Sequence, residues 1–313
     1  MPTLRYKADV RMIAYAISFL SLFATLWIAG FSWPAYLLLL FFAMCMGPAA
    51  HSHAHAGIFK EKWANRAWDY ILSFCYGFPI FVWVPTHMMN HHVFGNRPGD
   101  ATITWRWTRS DSTWMALIYP LMSSWYQNPL TMDYLEDNWK RGSGRRTRFW
   151  EAMAQYAVWG AFVGTFLVLD WKRALLYIGG PTAVSLWMVM FFNYVQHVNC
   201  DAESKWNHSR NFVGPVLNAW LFNNGYHTVH HWKPTEHWSK LPELHASVSH
   251  LIHPELQLPQ VFVYLFRTYA VGLFIGPKIP DFTGHPGSEE RLPKAPPVPR
   301  SWSEEQVRTL QAA

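Results

Sequence analysis

The feature that most constrains this chain is a run of 20 uncharged, largely apolar residues near its N-terminus. The run covers residues 12–31 and reads MIAYAISFLSLFATLWIAGF. An α-helix of about 20 residues crosses the hydrocarbon core of a bilayer. A secretory signal peptide is the alternative, but its apolar segment is shorter, and no small-residue cleavage site follows here. The sequence therefore predicts a membrane-spanning helix over residues 12–31.

Three further apolar segments extend this pattern, and short connections join the four segments in pairs. A turn at Ser32-Trp33-Pro34 separates the first pair, and Asp170, Lys172 and Arg173 lie between the second. We predict an all-α integral membrane protein with four transmembrane helices in two hairpins and a cytoplasmic helical cap. The predicted spans are residues 12–31, 35–50, 150–169 and 175–195, and the cap is residues 51–148 and 198–276.

Two apolar stretches are expected to be something other than crossings. Residues 71–85 are short and interrupted by Gly77, Pro79 and Pro85, which indicates a re-entrant or interfacial piece. Residues 258–275 are interrupted by a proline and an arginine, which favours a helix in the membrane plane. The whole of residues 1–276 is predicted to form one membrane domain. Residues 277–313 are predicted to be a Pro-rich flexible tail.

Composition and charge support this placement. Hydrophobic residues make up 50% of the chain and charged residues only 15%, against about 25% in average soluble proteins. Of the 26 Lys and Arg residues, 3 precede residue 12, 11 lie in residues 51–148 and 10 in residues 198–313. The positive-inside rule therefore places both termini and the cap of this multi-pass protein in the cytoplasm. The positive charges are dispersed, so no nucleic-acid partner is expected.

Histidine is the residue type that points to chemistry. The chain has 16 histidines, and many of them fall into an HxxxH, an HxxxHH and an HxxHH motif, with an NxxxH at the end of the fourth span. Residues three or four apart share one face of a helix. His87 is thus expected to aim at the same point as His91, and His227 at the same point as His230 or His231. The predicted metal ligands are His51, His55, His87, His91, His92, Asn193, His197, His227, His230 and His231.

This set predicts a two-metal site. Neutral imidazole is the commonest metal ligand and suits iron, zinc and copper. A single zinc ion takes about four ligands, fewer than the motifs provide. His53 points away from its neighbours on a helix and is not expected to bind metal. The remaining histidines lack a matching spacing and are predicted to be surface or second-shell residues; they are His208, His237, His245, His250, His253 and His285.

Together the four motifs resemble those of the membrane-bound fatty acid desaturase superfamily. The resemblance covers about residues 12–245, and the stretch GYHTVHH at residues 225–231 is similar to the glycine-led third box of that superfamily. It implies a non-haem di-iron centre with two Fe ions, O2 as co-substrate and no fused haem or flavin. The metal centre itself is the expected catalytic group, and no separate catalytic side chain is assigned.

The resemblance also implies partners and a reaction. The substrate would be a fatty acyl chain, either free or linked to CoA, ACP or a lipid. An external ferredoxin, rubredoxin or cytochrome b5 with its reductase would supply electrons. Desaturation is the expected reaction, and the same fold also fits a hydroxylase, a ketolase or a terminal-alkene-forming fatty acid decarboxylase. A membrane zinc hydrolase and a bis-histidine haem protein are alternatives from other classes.

Overall fold

The computed structural model describes residues 2–140, 142–276, 280–284 and 290–295. Over these ranges the chain is mostly helical. The two short strands, β1 (Asn211–Phe212) and β2 (Gln257–Leu258), pair in parallel. The helices are α1 (Val10–Ala29), α2 (Trp33–His55), α3 (Lys62–Tyr76), α4 (Ile80–Phe94), α5 (Thr113–Lys140), α6 (Ser143–Ala174), α7 (Gly180–His197), α8 (Pro215–Trp220), α9 (His227–Trp232), α10 (Leu241–Val248) and α11 (Val261–Ile275).

The chain divides into two compact units. The first unit comprises Met1–Trp83 and Met132–Val189, and the second comprises Val84–Thr131 and Met190–Ala313. Helices α4, α5 and α7 each begin in one unit and end in the other.

The first unit contains the N-terminal helical hairpin that the sequence predicts. Helix α1 ends at Gly30, which adopts a φ of 93° and donates its N–H to the Leu26 carbonyl at 3.1 Å. This left-handed region of φ favours glycine because a side chain there would clash with the backbone. Pro34 then occupies the first turn of α2, where no N–H is needed. Tyr15 and Phe42 pack edge to face across the hairpin at 5.2 Å.

In the described part of the chain, three helical stretches are long and apolar enough to cross a membrane: Lys7–Ala29, Trp33–His55 and Arg145–His197. The third contains both predicted spans of the second hairpin. Its backbone is non-helical at Asp170 (φ −160°, ψ 97°), where the carboxylate accepts the N–H groups of Lys172 and Arg173, each at 3.1 Å. This break coincides with the predicted connection. Two separate crossings in this stretch remain a prediction.

Two further apolar helical segments overlap the stretches that the sequence predicts to be re-entrant, interfacial or in the membrane plane. Helices α3 and α4 follow one another across a short break and are bent by 97°, as in a broken span or a re-entrant loop. Helix α11 is too short to cross a bilayer as a straight helix, and its Phe262, Phe266 and Phe274 are exposed.

The second unit is held together by buried polar contacts around β1. Arg210, just before the strand, is fully buried, and its guanidinium donates to the carbonyls of Val195 and Val198 at the end of α7. Basic side chains satisfy the last carbonyls of a helix, which have no partner within the helix. Arg210 therefore fixes the end of α7, which carries a predicted ligand, His197.

The described parts of the C-terminal segment also pack in the second unit. Phe282 is 2% exposed, and its N–H donates to the Asn199 carbonyl at 2.9 Å. Arg291 pairs with the buried Asp201 at 3.0 Å. The rest of the predicted flexible tail lies outside the described residues, and so does His285.

Candidate metal centre

The second histidine motif lies on a π-helical segment of α4, Val84–His91. In a π-helix each N–H bonds five residues back, so residues five apart lie over each other. His87 and His92 are accordingly neighbours, with their Nε2 atoms 2.9 Å apart. His91 belongs to a different group of histidines. The expectation that His87 and His91 aim at one point assumed an α-helix and is wrong for that reason.

The third motif lies on α9, which begins directly after a tight turn at Gly225. The Gly225 carbonyl accepts the Phe212 N–H at 2.9 Å, and the Gly225 N–H donates to the Asn218 side chain at 3.1 Å. A Cβ atom at Gly225 would lie 2.1 Å from the Phe212 carbonyl oxygen. The glycine that leads this motif is therefore required by the close approach of β1. Thr228 in the first turn of α9 donates its N–H to the Asn211 side chain at 3.0 Å.

Within the second unit, seven predicted ligands form two sets. His227 Nε2 lies 2.9 Å from His197 Nε2 and 3.1 Å from His231 Nε2, and His91 joins these three. We call His91, His197, His227 and His231 the four-histidine set. His87, His92 and His230 form the three-histidine set, in which His230 Nε2 lies 3.0 Å from His92 Nε2. Of the two partners predicted for His227, the structure thus selects His231.

The four-histidine set fits a bound cation. His91 Nδ1 lies 2.9 Å from the Asp100 carboxylate, and His197 Nδ1 lies 3.2 Å from the His208 carbonyl. Both partners accept hydrogen bonds, so each Nδ1 carries the proton of its ring. Each neutral ring then directs an Nε2 lone pair into the set. His91 Nε2 is buried, and no group in the described part of the chain forms a hydrogen bond with it. Metal–imidazole bonds of about 2.1 Å at right angles place two nitrogens about 3.0 Å apart, close to the observed separations.

Asp100 is the residue of the site with the most hydrogen bonds that the sequence analysis did not predict. Its fully buried carboxylate accepts hydrogen bonds from the N–H groups of Asn96 and Thr102 and from the Thr102 hydroxyl, each at 2.7 Å, besides facing His91. Burial alone would raise its pKa, but His91 and these hydrogen bonds outweigh burial and lower the pKa of the Asp100 carboxyl. A carboxylate behind a histidine ligand fixes its tautomer and ring orientation. No short motif links Asp100 to His91, which lies nine residues earlier in the chain.

The first motif lies in the first unit at the C-terminal end of α2. The helix continues to His55, so His51 and His55 are one turn apart, as predicted, with ring centroids 5.0 Å apart. His51 also stacks on Trp83 at 5.3 Å. His53 has a structural role instead: its Nε2 lies 2.9 Å from the Asp69 carboxylate, and its Nδ1 accepts the Ile58 N–H at 3.3 Å.

Asn193 lies one turn before His197 on α7. Its side-chain nitrogen donates to the Tyr119 hydroxyl at 2.7 Å, and that hydroxyl donates to the Thr102 carbonyl. Tyr119 is fully buried, and burial raises the pKa of its hydroxyl. The amide is thereby oriented through the same loop that carries Asp100. Its role as a metal ligand remains a prediction.

Among the described histidines without a matching spacing, His208 lies beside the candidate centre. It is 3% exposed, and its ring centroid lies 5.3 Å from that of His231. Burial lowers the pKa of the His208 imidazole to about 4, so the ring is neutral at physiological pH. His245 instead contacts the Gln257 side chain at 3.0 Å, and His250 is exposed.

Comparisons with known proteins agree with this arrangement. The family model described as fatty acid desaturase matches residues 12–264, which is most of the chain. The matched range contains all ten predicted ligands. The searches of curated proteins and of solved structures gave no match.

Proposed function

Because this chain belongs to the fatty acid desaturase family, we propose that it is an O2-dependent, non-haem di-iron desaturase that introduces a C=C bond into a fatty acyl chain. The observation that carries this proposal is the convergence of seven histidines from three chain segments into two sets. Breaking an unactivated C–H bond needs a strong oxidant, which a redox metal supplies and side chains alone do not.

Two irons would be held by the ten predicted residues. The four-histidine set would bind one ion, and the three-histidine set would contribute ligands to the other. His51, His55 and Asn193 are included on the spacing of their motifs and on the family resemblance. Imidazole suits iron, and the number of donors exceeds what one ion takes.

When bound, the irons would activate O2 to remove one hydrogen from each of two adjacent methylenes. The balanced reaction takes two further electrons and two protons, and both oxygen atoms leave as water. The protein itself would orient the ligands. Asp100 fixes the His91 ring, and Arg210 holds the end of α7, which carries His197. Buried imidazoles also exclude water that would quench a reactive oxidant.

The membrane placement belongs to the same proposal. The apolar segments favour four spans in two hairpins, and the distribution of Lys and Arg favours both termini and the centre in the cytoplasm. An acyl chain that is free or linked to CoA, ACP or a lipid would reach the centre from the bilayer. A ferredoxin, a rubredoxin or a cytochrome b5 with its reductase would deliver electrons from the cytoplasm, attracted by the positive charge of the chain.

The first experiment measures metal content and Mössbauer spectra of the detergent-purified chain expressed with iron-57. We expect about two coupled irons per chain, as the donor number indicates. The variant His230→Ala should lose iron and activity, whereas His250→Ala, at an exposed position, should retain both. Stoichiometric zinc without iron after expression in iron-rich medium would refute the oxidase and favour a zinc hydrolase.

Product analysis then separates the reactions that one oxidant can perform. Acyl substrates are incubated with the purified chain, an electron donor and O2, and the products are analysed by mass spectrometry. Loss of two mass units indicates desaturation. Gain of one oxygen would indicate a hydroxylase, a carbonyl product a ketolase, and a terminal alkene one carbon shorter a decarboxylase; any of these would overturn the proposed reaction.

A further inference from the structure

His208 combines three properties that its position in the sequence does not suggest. Its side chain is nine-tenths buried or more, at 3% exposure. Its Nδ1 lies 3.0 Å from the Lys205 carbonyl oxygen, which can only accept a hydrogen bond. The proton of the neutral ring is therefore on Nδ1, and Nε2 carries a lone pair.

The Nε2 atom of His208 is buried and has no hydrogen-bond partner among the residues that the structure describes. Buried polar atoms in folded proteins almost always have a partner, because leaving one unpaired costs about 1–3 kcal/mol. The neighbouring ring is that of His231, with centroids 5.3 Å apart and planes at 70°. Buried water is the usual partner of such an atom, and here that water would lie beside a set of imidazoles.

The backbone of the same residue supports the four-histidine set. The His208 carbonyl oxygen lies 3.2 Å from His197 Nδ1 and so fixes the tautomer of that ring. The residue thus contacts the set twice, through its carbonyl and through its ring. The next residue, Ser209, lies 2.9 Å from the Thr228 hydroxyl in the first turn of α9. The segment around His208 therefore contacts both α7 and α9, the two helices that carry His197 and His231.

We propose that His208 is a positioning residue for the metal of the four-histidine set, with Nε2 accepting a hydrogen bond from a water molecule that this metal binds. An outer position agrees with the geometry, because His208 does not belong to the four nitrogens that lie within 4.8 Å of one another. The inference rests on the proposed metal centre and extends it by a residue outside the histidine motifs. Partners of this kind typically change metal affinity 10–100-fold.

The test compares three variants in the detergent-purified, iron-loaded full chain. His208→Phe keeps a planar ring and removes both nitrogens, and His208→Gln keeps an acceptor. His250→Phe is the matched control at an exposed histidine. Iron release to a chelator, Mössbauer spectra and thermal unfolding of the metal-free protein are measured for each.

We expect His208→Phe to release one of the two irons about 10–100-fold faster and to change the Mössbauer doublet of that iron alone. His208→Gln should lie between this variant and the wild type, and His250→Phe should match the wild type. Unfolding of the metal-free protein shows whether the fold is kept.

Unchanged doublets and release rates in His208→Phe would overturn the inference. If that variant does not fold, wild-type doublets and release rates in His208→Gln would overturn it as well. These outcomes leave the proposed function standing when the wild type binds two irons. A wild type without iron refutes the proposed function itself.

Discussion

Replacing Asp100 with Asn exchanges one carboxylate oxygen for an NH2 group behind His91 of the four-histidine set. The carboxylate accepts from four donors, two on each oxygen: His91 Nδ1 and the Asn96 N–H on one, and the Thr102 N–H and hydroxyl on the other. An asparagine keeps one oxygen and places an NH2 group against two former donors. The side chain is fully buried, so water cannot replace the lost contacts.

The magnitude follows from counting the affected hydrogen bonds. With the new NH2 group against Thr102, the hydroxyl can turn and accept, but the Thr102 N–H remains unpaired at about 1–3 kcal/mol. The bond from His91 changes from charged to neutral, which costs about 1 kcal/mol more. We expect the metal-free Asp100→Asn protein to lose about 2–4 kcal/mol of unfolding free energy. Iron affinity should fall about 10–100-fold, because the His91 ring loses its anionic partner.

Two assays check these values. Denaturant unfolding of metal-free protein in mixed micelles gives the stability, and competition with a chelator gives the iron affinity. Asp133→Asn, at an exposed position on α5, is the control and should change stability by less than about 0.5 kcal/mol. Wild-type iron affinity in a folded Asp100→Asn protein would refute the role given to this carboxylate.

Three further predictions concern the turn, the helix end and pH. Gly225→Ala should destabilise the fold by about 1–3 kcal/mol or more through its clash with a backbone carbonyl, whereas Gly160→Ala, with open space around it, should not; thermal unfolding compares them. Arg210→Met should remove the two hydrogen bonds to the carbonyls of Val195 and Val198 at the end of α7 and weaken iron binding by the four-histidine set, and a wild-type chelator competition curve would contradict this. Burial raises the pKa of the Asp111 carboxyl to about 6 despite the hydrogen bond from Tyr194. The folded state therefore holds this proton more tightly than the unfolded state, whose pKa is about 3.9, and stability falls by about 2 kcal/mol as pH rises from about 4 to 7. Denaturant unfolding of the metal-free Asp111→Asn protein should lack this loss, and an equal pH dependence in both proteins would contradict the assignment.

Much of the site could be predicted from the sequence because its signals are local. An uncharged run of 20 residues and the turn at Ser32-Trp33-Pro34 identify the first hairpin. Helical spacing left His230 and His231 as the possible partners of His227, and His231 is the partner on the helical α9. The same spacing failed for His87 and His91, since sequence periodicity alone does not distinguish a π-helical segment from an α-helical one.

The tertiary structure decided which residues support the histidines. Asp100 faces His91 across a loop, and Arg210 returns to the end of α7, so neither contact has a fixed spacing in the chain. In the sequence His208 is an unclustered histidine. Its burial, its unpaired Nε2 and its contact with the His231 ring come from the tertiary structure. Burial and hydrogen-bond partners depend on residues far apart in the chain. The sequence by itself therefore determined the apolar helices and the candidate ligands, and folding determined how those ligands are divided and held.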